Sequence, residues 1–427
     1  MSIVARHALT IGIAVFISGC GAFQQAQSEM QPPTAPLGAH RVLPASSYRV
    51  LYKFRRNRGT HPQAPLIDVG GTLYGTTDNG GDFRFGTVYA IGPSGAQTVL
   101  HSFSGGSDGL GPQAGLVDVD GTLYGTTDAG GAYNAGTVFS ITPSGSEAVL
   151  YSFTGGADGG FPRAPLIVVN GTLYGTTTFG GDLKCKGSQP GCGTVFSIGT
   201  SGSEQVLHRF TKGSDGAFPV AGLLNVNGTL FGTTLLGGTE RCYSSNLGCG
   251  TVYSISTSGN EKVLYSFKNS PDGSQPSSGL IEVKGKLYGT TFAGGSGGCG
   301  NSKYGCGVVY SVTKSGAEQV VYRFAAGAYD GGEPTGDLVA LNGTLYGTAW
   351  DGGQACGSGS CGPGVIYSVS TTGSEKMLYA FSRSDGEKPD AGLTNVNGVL
   401  FGTTVFGGTG CPRDNNGGCG VIFTLSE

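Results

Sequence analysis

The sequence predicts an all-β fold: a seven-bladed β-propeller with four antiparallel strands per blade. Three observations predict it. The phrase typified by Asn170-Gly171-Thr172-Leu173-Tyr174-Gly175-Thr176-Thr177 occurs seven times, with its aromatic at Tyr74, Tyr124, Tyr174, Phe231, Tyr288, Tyr346 and Phe401. Those positions lie 50 to 58 residues apart, the period of a repeat architecture. Every unit reads as strands and turns, with no helical period or cap pair. Finally, a strand ending in Phe also occurs seven times, at Phe54, Phe103, Phe153, Phe210, Phe267, Phe324 and Phe381, and its first copy precedes the first hairpin. Tyr48 to Phe54 is therefore expected to complete the last blade, closing the ring without a free sheet edge.

The chain starts with Arg6 and His7 before an apolar run, Ala8 to Ile17. That run is too short to span a bilayer and suits the core of a signal peptide. It ends Ile17-Ser18-Gly19-Cys20, which resembles the lipobox of bacterial lipoproteins. The resemblance implies removal of residues 1–19, acylation of Cys20 and anchoring at a membrane. Gly21, where retained inner-membrane lipoproteins commonly carry aspartate, points to the outer membrane or cell surface. The alternative is an ordinary signal peptide with an incidental cysteine. Residues 20–47 hold Gln, Ser, Pro and Ala without period and read as a lipidated cysteine with a disordered tether. Residues 48–427 are the propeller.

The second unit shows the blade pattern. Leu116-Val117-Asp118-Val119 and Thr122-Leu123-Tyr124-Gly125-Thr126-Thr127 flank Asp120-Gly121, a type I′ hairpin signal. After Gly130-Gly131 and a loop, Gly136 to Ile141 is a third strand; Pro143-Ser144-Gly145 turns the chain, and Ala148 to Phe153 is the fourth. Small residues such as Ala114-Gly115, Ala221-Gly222, Ser278-Gly279 and Ala391-Gly392 open the first strands, as crowding at a central axis requires.

Composition agrees. Glycine is 82 of 427 residues with no triplet period, which excludes collagen and places glycines at turns needing positive φ. Charged residues are 12% and net charge is −3, so there is no basic stripe for nucleic acid. With 19 Tyr and 21 Phe, there is enough apolar material for a core.

The phrases Leu-Tyr-Gly-Thr-Thr, Gly-Thr-Val-Phe-Ser-Ile and Val-Leu-Tyr-Ser-Phe resemble the bacterial GloVer tandem repeat over about residues 48–425. The resemblance implies a surface-anchored repeat protein and brings no catalytic residues. There is a lesser similarity to Kelch propellers, which also place Gly-Gly after the second strand. Kelch units carry Trp in the fourth strand, where this chain has Tyr151 or His208.

Apart from Cys20, the cysteines fall in five pairs: Cys185 and Cys192, Cys242 and Cys249, Cys299 and Cys306, Cys356 and Cys361, Cys411 and Cys419. Each pair sits between the second and third strands of blades three to seven. In an exported chain such pairs imply local disulfides. Metal thiolate sites are the rival, but no histidine accompanies any pair and the spacing does not match zinc ribbons.

No catalytic constellation stands out. Gly105 to Gly109 and Gly294 to Gly298 match G-x-S-x-G, but lack the strand-turn-helix context. His101 and His208 replace a repeated Tyr and read as packing residues. Asp108, Asp158, Asp215, Asp272, Asp330 and Asp385 recur before glycine and read as turn formers; calcium, the one cofactor weighed, lacks further located ligands. Unique acids such as Glu240, Asp337 and Asp351 form no recognisable pair. Strand alternation puts all long loops on one face. There Trp350, the single tryptophan, with Phe179 and Phe292, is the candidate ligand platform; packing under the cysteine loops is the alternative. The function expected is a monomeric, non-enzymatic binding module for a polysaccharide or protein. A propeller enzyme acting on glycans, or a structural envelope component, is the alternative.

Overall fold

The computed structural model describes residues 48–185, 190–240, 242, 247–295, 299, 304–354, 361–409, 411 and 417–426. The expected signal peptide, Cys20, the tether and Cys356 lie outside them. The chain opens with β1 (Tyr48–Lys53), and the first blade follows as β2 (Ile67–Val69), β3 (Thr72–Thr77), β4 (Thr87–Ile91) and β5 (Gln97–Ser102). These four strands pair antiparallel in chain order, and the pattern recurs to make seven sheets. β1 pairs with Val421–Ser426, so the last sheet runs β1, Val421–Ser426, Val399–Thr404, Thr394–Val396. The ring closes as the displaced first strand predicts. Among the described residues the sole helical stretch is a 3-10 turn, Arg56–Arg58.

The repeated phrase has a residue-by-residue physical account. Asn170-Gly171 and its counterparts Asn227-Gly228 and Asn342-Gly343 all take positive φ, as a type I′ turn demands. The glycine of Gly-Thr-Thr leaves room for the third-strand aromatic; a Cβ on Gly232 would lie 2.5 Å from the Tyr253 hydroxyl. The first threonine ties neighbouring blades: Thr76 Oγ1 donates to Ala114 O at 2.9 Å and Thr348 Oγ1 to Ala391 O at 3.0 Å. The second ties strands within a blade, as Thr177 Oγ1 does to Thr194 Oγ1 at 2.8 Å. Each fourth-strand Phe packs edge-on against the third-strand ring of the next blade, from Phe54–Tyr89 at 5.2 Å round to Phe381–Phe423 at 5.3 Å. Edge-to-face pairs of this kind contribute about 0.5–1.5 kcal/mol beyond burial. First strands of adjacent blades touch at the axis. There a Cβ on Gly222 would meet Pro165 at 2.9 Å, which explains the small residues.

Disulfides close Cys185–Cys192, Cys242–Cys249, Cys299–Cys306 and Cys411–Cys419, with Cα atoms 5.6, 5.1, 4.7 and 5.7 Å apart. Cys361 is also disulfide-bonded. Their local pairing bears out the expectation from spacing.

Blade six departs from four strands. Gly331–Pro334 forms an added strand against an extended second strand, Thr344–Gly352. Other blades make a single bridge there, such as Thr60 to Asn79 or Gly160 to Phe179. The loop before the added strand is one residue longer. Asp330 accepts from the amide of Ala325, five residues upstream, whereas Asp158 accepts from Thr154, four upstream.

Candidate functional site

Each unit carries a proline five residues before its first strand, and the residue before that proline takes left-handed φ. His61, Gly111, Phe161, Phe218, Gln275, Glu333 and Lys388 lie between +55° and +64°. That conformation costs a side-chain-bearing residue roughly 1 kcal/mol or more, yet only one of the seven is glycine. Hydrogen bonds hold the conformation on both sides. The Phe161 amide donates to Ala135 O of the preceding blade at 2.7 Å, and its carbonyl accepts from Thr178 N at 3.1 Å. The Lys388 amide likewise donates to Pro363 O at 2.6 Å, and its carbonyl accepts from Val405 N at 3.0 Å.

Beside this ring stand the ends of the second strands (Asp78, Asp128, Thr178, Leu235, Phe292, Trp350 and Val405) and the residues after the prolines (Gln63, Gln113, Arg163, Val220, Ser277, Thr335 and Asp390). All three sets lie at the loop end of the two innermost strands, around the mouth of the axis. Blades whose interiors are nearly identical thus present different side chains here.

One side is polar. Gln113 Nε2 donates to Asp78 Oδ1 at 3.1 Å across a blade boundary, and Arg163 Nε pairs with Asp128 at 2.7 Å. Burial pushes the Asp78 carboxyl up to about 6, the neighbouring Asp128 adds to this, and Gln113 opposes it. The adjoining arc, from blade three to blade five, carries the apolar rings, and the Arg163 guanidinium lies 5.9 Å from the Phe179 ring centroid at its edge. Phe179 is buried at 8% exposure and touches Phe161 and Phe218, each with ring centroids 5.6 Å away. Phe292 is half-buried.

Blade six completes the ring. Half-buried Trp350 has the Lys388 ammonium 5.6 Å from its ring centroid and Phe406 edge-on at 6.4 Å. Lys388 also pairs with Asp351 and donates to Gly362 O at 3.1 Å. Glu333, on the added strand, is pushed up to about 7 by burial and by Asp351, against the pull of Lys388. Asp390 rises to about 6 by burial, opposed by its hydrogen bond with Thr335. Deeper at the axis, Asp337 stands where other blades have Gly or Pro and accepts from Gly279 N at 2.5 Å. Burial raises its carboxyl as well.

The three aromatics named from sequence are thus spread over two arcs: Phe179 and Phe292 on the apolar one, Trp350 on the polar one. No ring contact joins them among the described residues. Asp351 and Asp337, unpaired on paper, become a buried ion-pair partner and an axial carboxylate. The residues before the prolines escaped the sequence reading, although a repeated proline with a changing predecessor was there to find.

The repeated loop aspartates serve the backbone. Asp158 accepts from Thr154 N at 2.8 Å and from Tyr151 at 3.1 Å, and Asp108 from Ser104 N at 2.8 Å with His101 at 3.3 Å. Among the described residues no group of three or more His, Cys, Asp or Glu is arranged to hold a metal. An open cleft of about 380 Å³ beside Asn57, Phe83 and His101 lies on the outer strand of the first blade, away from the mouth.

Among solved structures, the chain is similar to a gluconolactonase from Xanthomonas campestris at 14% identity, covering 70% of this chain and 85% of that one with a TM-score of 0.39. A luciferin-regenerating enzyme matches at 13% identity over 87% and 92%, with a TM-score of 0.42. A putative 6-phosphogluconolactonase from Bacteroides uniformis matches at 13% over 78% and 88%, with a TM-score of 0.46. Likeness at this level assigns no activity. No curated protein matches the chain. The repeat itself is decisive: residues 39–188 and 183–423 match the Gloeobacter/Verrucomicrobia repeat, and the chain belongs to that family.

Proposed function

We propose that the protein is a non-enzymatic binding module that takes a polysaccharide chain at the axial mouth of its loop-bearing face. The observation carrying this reading is that six of seven equivalent left-handed positions carry side chains, of five kinds, while the walls beneath them stay the same. Strain kept at positions free to become glycine marks sites selected for their side chains. Aromatic surfaces next to fixed carboxylates, amides and cations suit a ring with an apolar face and many hydroxyls. The disulfides support an extracytoplasmic setting. Anchoring through Cys20 is part of the same proposal.

The test is a glycan-array screen of the purified protein, repeated with Trp350→Ala and Arg163→Ala. Binding that both variants weaken, at unchanged melting temperature, supports the mouth; binding that neither changes sinks it. A second reading rests on Glu333, an acid with a raised pKa beside the ion-paired Asp351. Such a pair can divide acid and base roles in glycan cleavage. Turnover of a glycan hit, lost in Glu333→Gln, would favour that reading over simple binding.

A further inference from the structure

Away from the mouth, the joints between blades repeat one polar arrangement that the proposed function does not use. The turn between third and fourth strands of each blade packs on the outermost strand of the blade before it. A Cβ on Gly145, Gly202 or Gly259 would lie 2.7, 2.6 or 2.7 Å from the carbonyl oxygen of Leu100, Leu150 or Leu207. The first residue of the outermost strand then faces the preceding blade. In five joints it is a glutamate, and it faces that blade's loop aspartate.

Glu147 faces Asp108. Glu204 faces Asp158 and Tyr151, with Arg209 nearby. Glu261 faces His208 and Asp215. Glu318 faces Asp272 and Tyr265, with Arg323 and Lys268 nearby. Glu375 faces Asp330 and Tyr322. The aspartates are already held by their own loops, as Asp108 is by Ser104 and His101. In each glutamate Oε1 is shut off from solvent without a hydrogen-bond partner among the described residues, while the Tyr151, Tyr265 and Tyr322 hydroxyls stand close enough to act on the Glu204, Glu318 and Glu375 carboxyls. A carboxylate oxygen left so, beside a second carboxylate, is costly unless it carries a proton.

The two joints flanking the last blade are different. Gln97 replaces the glutamate at one; its Nε2 donates to Arg58 O at 2.9 Å and its Oε1 accepts from Tyr52 at 3.1 Å. Tyr48 replaces it at the other, stacked on Tyr379 at 3.7 Å and donating to Asp385 O at 2.9 Å.

We infer that the five glutamate joints form a pH-sensitive clasp around the ring, each closed when the buried glutamate that faces the neighbouring blade carries a proton, while the joints flanking the last blade stay neutral. Burial, reinforced by the facing aspartate, raises Glu147, Glu204 and Glu318 to about 7 and Glu375 to about 8, with the Tyr151, Tyr265 and Tyr322 hydroxyls opposing at the last three and nearby Arg209, Arg323 and Lys268 opposing at Glu204 and Glu318. Burial also raises Glu261, with His208 opposing and Asp215 adding. A carboxyl raised above its unfolded value favours the fold when protonated. The clasp therefore contributes fully below the unfolded pKa and is lost as pH rises through about 7 to 8. A glutamine in the same place needs no proton, as Gln97 shows.

Urea unfolding of the full chain between pH 5.5 and 8.5 tests this. The wild type should lose stability with rising pH, by about tenfold in the unfolding equilibrium constant per joint. Glu375→Gln should shrink that loss, and replacing all five glutamates by Gln should remove most of it, leaving the share of Glu333, Asp78 and Asp390 at the mouth. Glu282→Gln, at a surface pair with Lys314, should leave it unchanged. Infrared spectra should show a protonated-carboxyl band that fades between pH 6 and 9 and weakens in Glu375→Gln. A wild type without pH dependence over this range overturns the clasp. So does a Glu375→Gln variant with the wild-type slope and band, and this single variant decides the matter even if the five-fold variant fails to fold.

Discussion

The wall of each blade and its rim at the mouth are separated by one or two residues, yet they obey different rules. Thr76 and Thr77 recur at the same place round most of the ring because each hydroxyl has a fixed partner, in the next blade or the next strand. Asp78, the next residue, has counterparts as unlike as Thr178, Leu235 and Trp350. The backbone there is hydrogen-bonded as in the wall, while the side chain changes from blade to blade. Identity between blades thus records where a side chain must pack against its neighbours. Difference between blades records where it is free to meet something else.

Four experiments break or sharpen that comparison. Deleting residues 48–54 removes the strand paired with Val421–Ser426 and the Phe54–Tyr89 contact, and should abolish cooperative folding. A truncated chain that melts like the whole would show that closure contributes nothing to the wall. Gly232→Ala places a methyl against the buried Tyr253 hydroxyl and should destabilise by about 1–3 kcal/mol in denaturant titration, with the mouth untouched. Replacing both Cys242 and Cys249 by Ala opens a loop outside the wall and should cost about 2 kcal/mol, with an unchanged β-sheet signal in circular dichroism. Smallest should be the rim. Phe161→Gly relieves a left-handed residue and Trp350→Ala trims a half-buried ring, so each should shift stability by only about 1 kcal/mol. Both should still weaken ligand capture. If either variant instead melts well below the wild type, rim and wall follow the same rule and the mouth is packing.

The closed ring was legible before any coordinates because its cues are local. The Asn-Gly turns set the hairpins, the repeat period set the blade count, and a strand out of step with its unit revealed the seam. The cysteine pairs could also be read, since seven or eight residues leave them few other partners. The aromatic platform was legible only in part. Trp350 stands out as unique in the chain, but its neighbours Lys388 and Phe406 come from the next blade, and Phe179 sits in a different arc.

What the sequence by itself determined is therefore the repeating wall: strands, turns, small axial residues and the order of closure. Each of these follows from contacts within one unit or from a contact repeated at every boundary. Only the tertiary structure decided which residues face each other once per molecule. Asp351 meets Lys388, Gln113 meets Asp78, and Asp337 reaches the axis and the Gly279 amide. Those pairings join residues tens of positions apart in neighbouring blades. Their energies depend on desolvation, which no stretch of sequence reveals until the ring has closed around it.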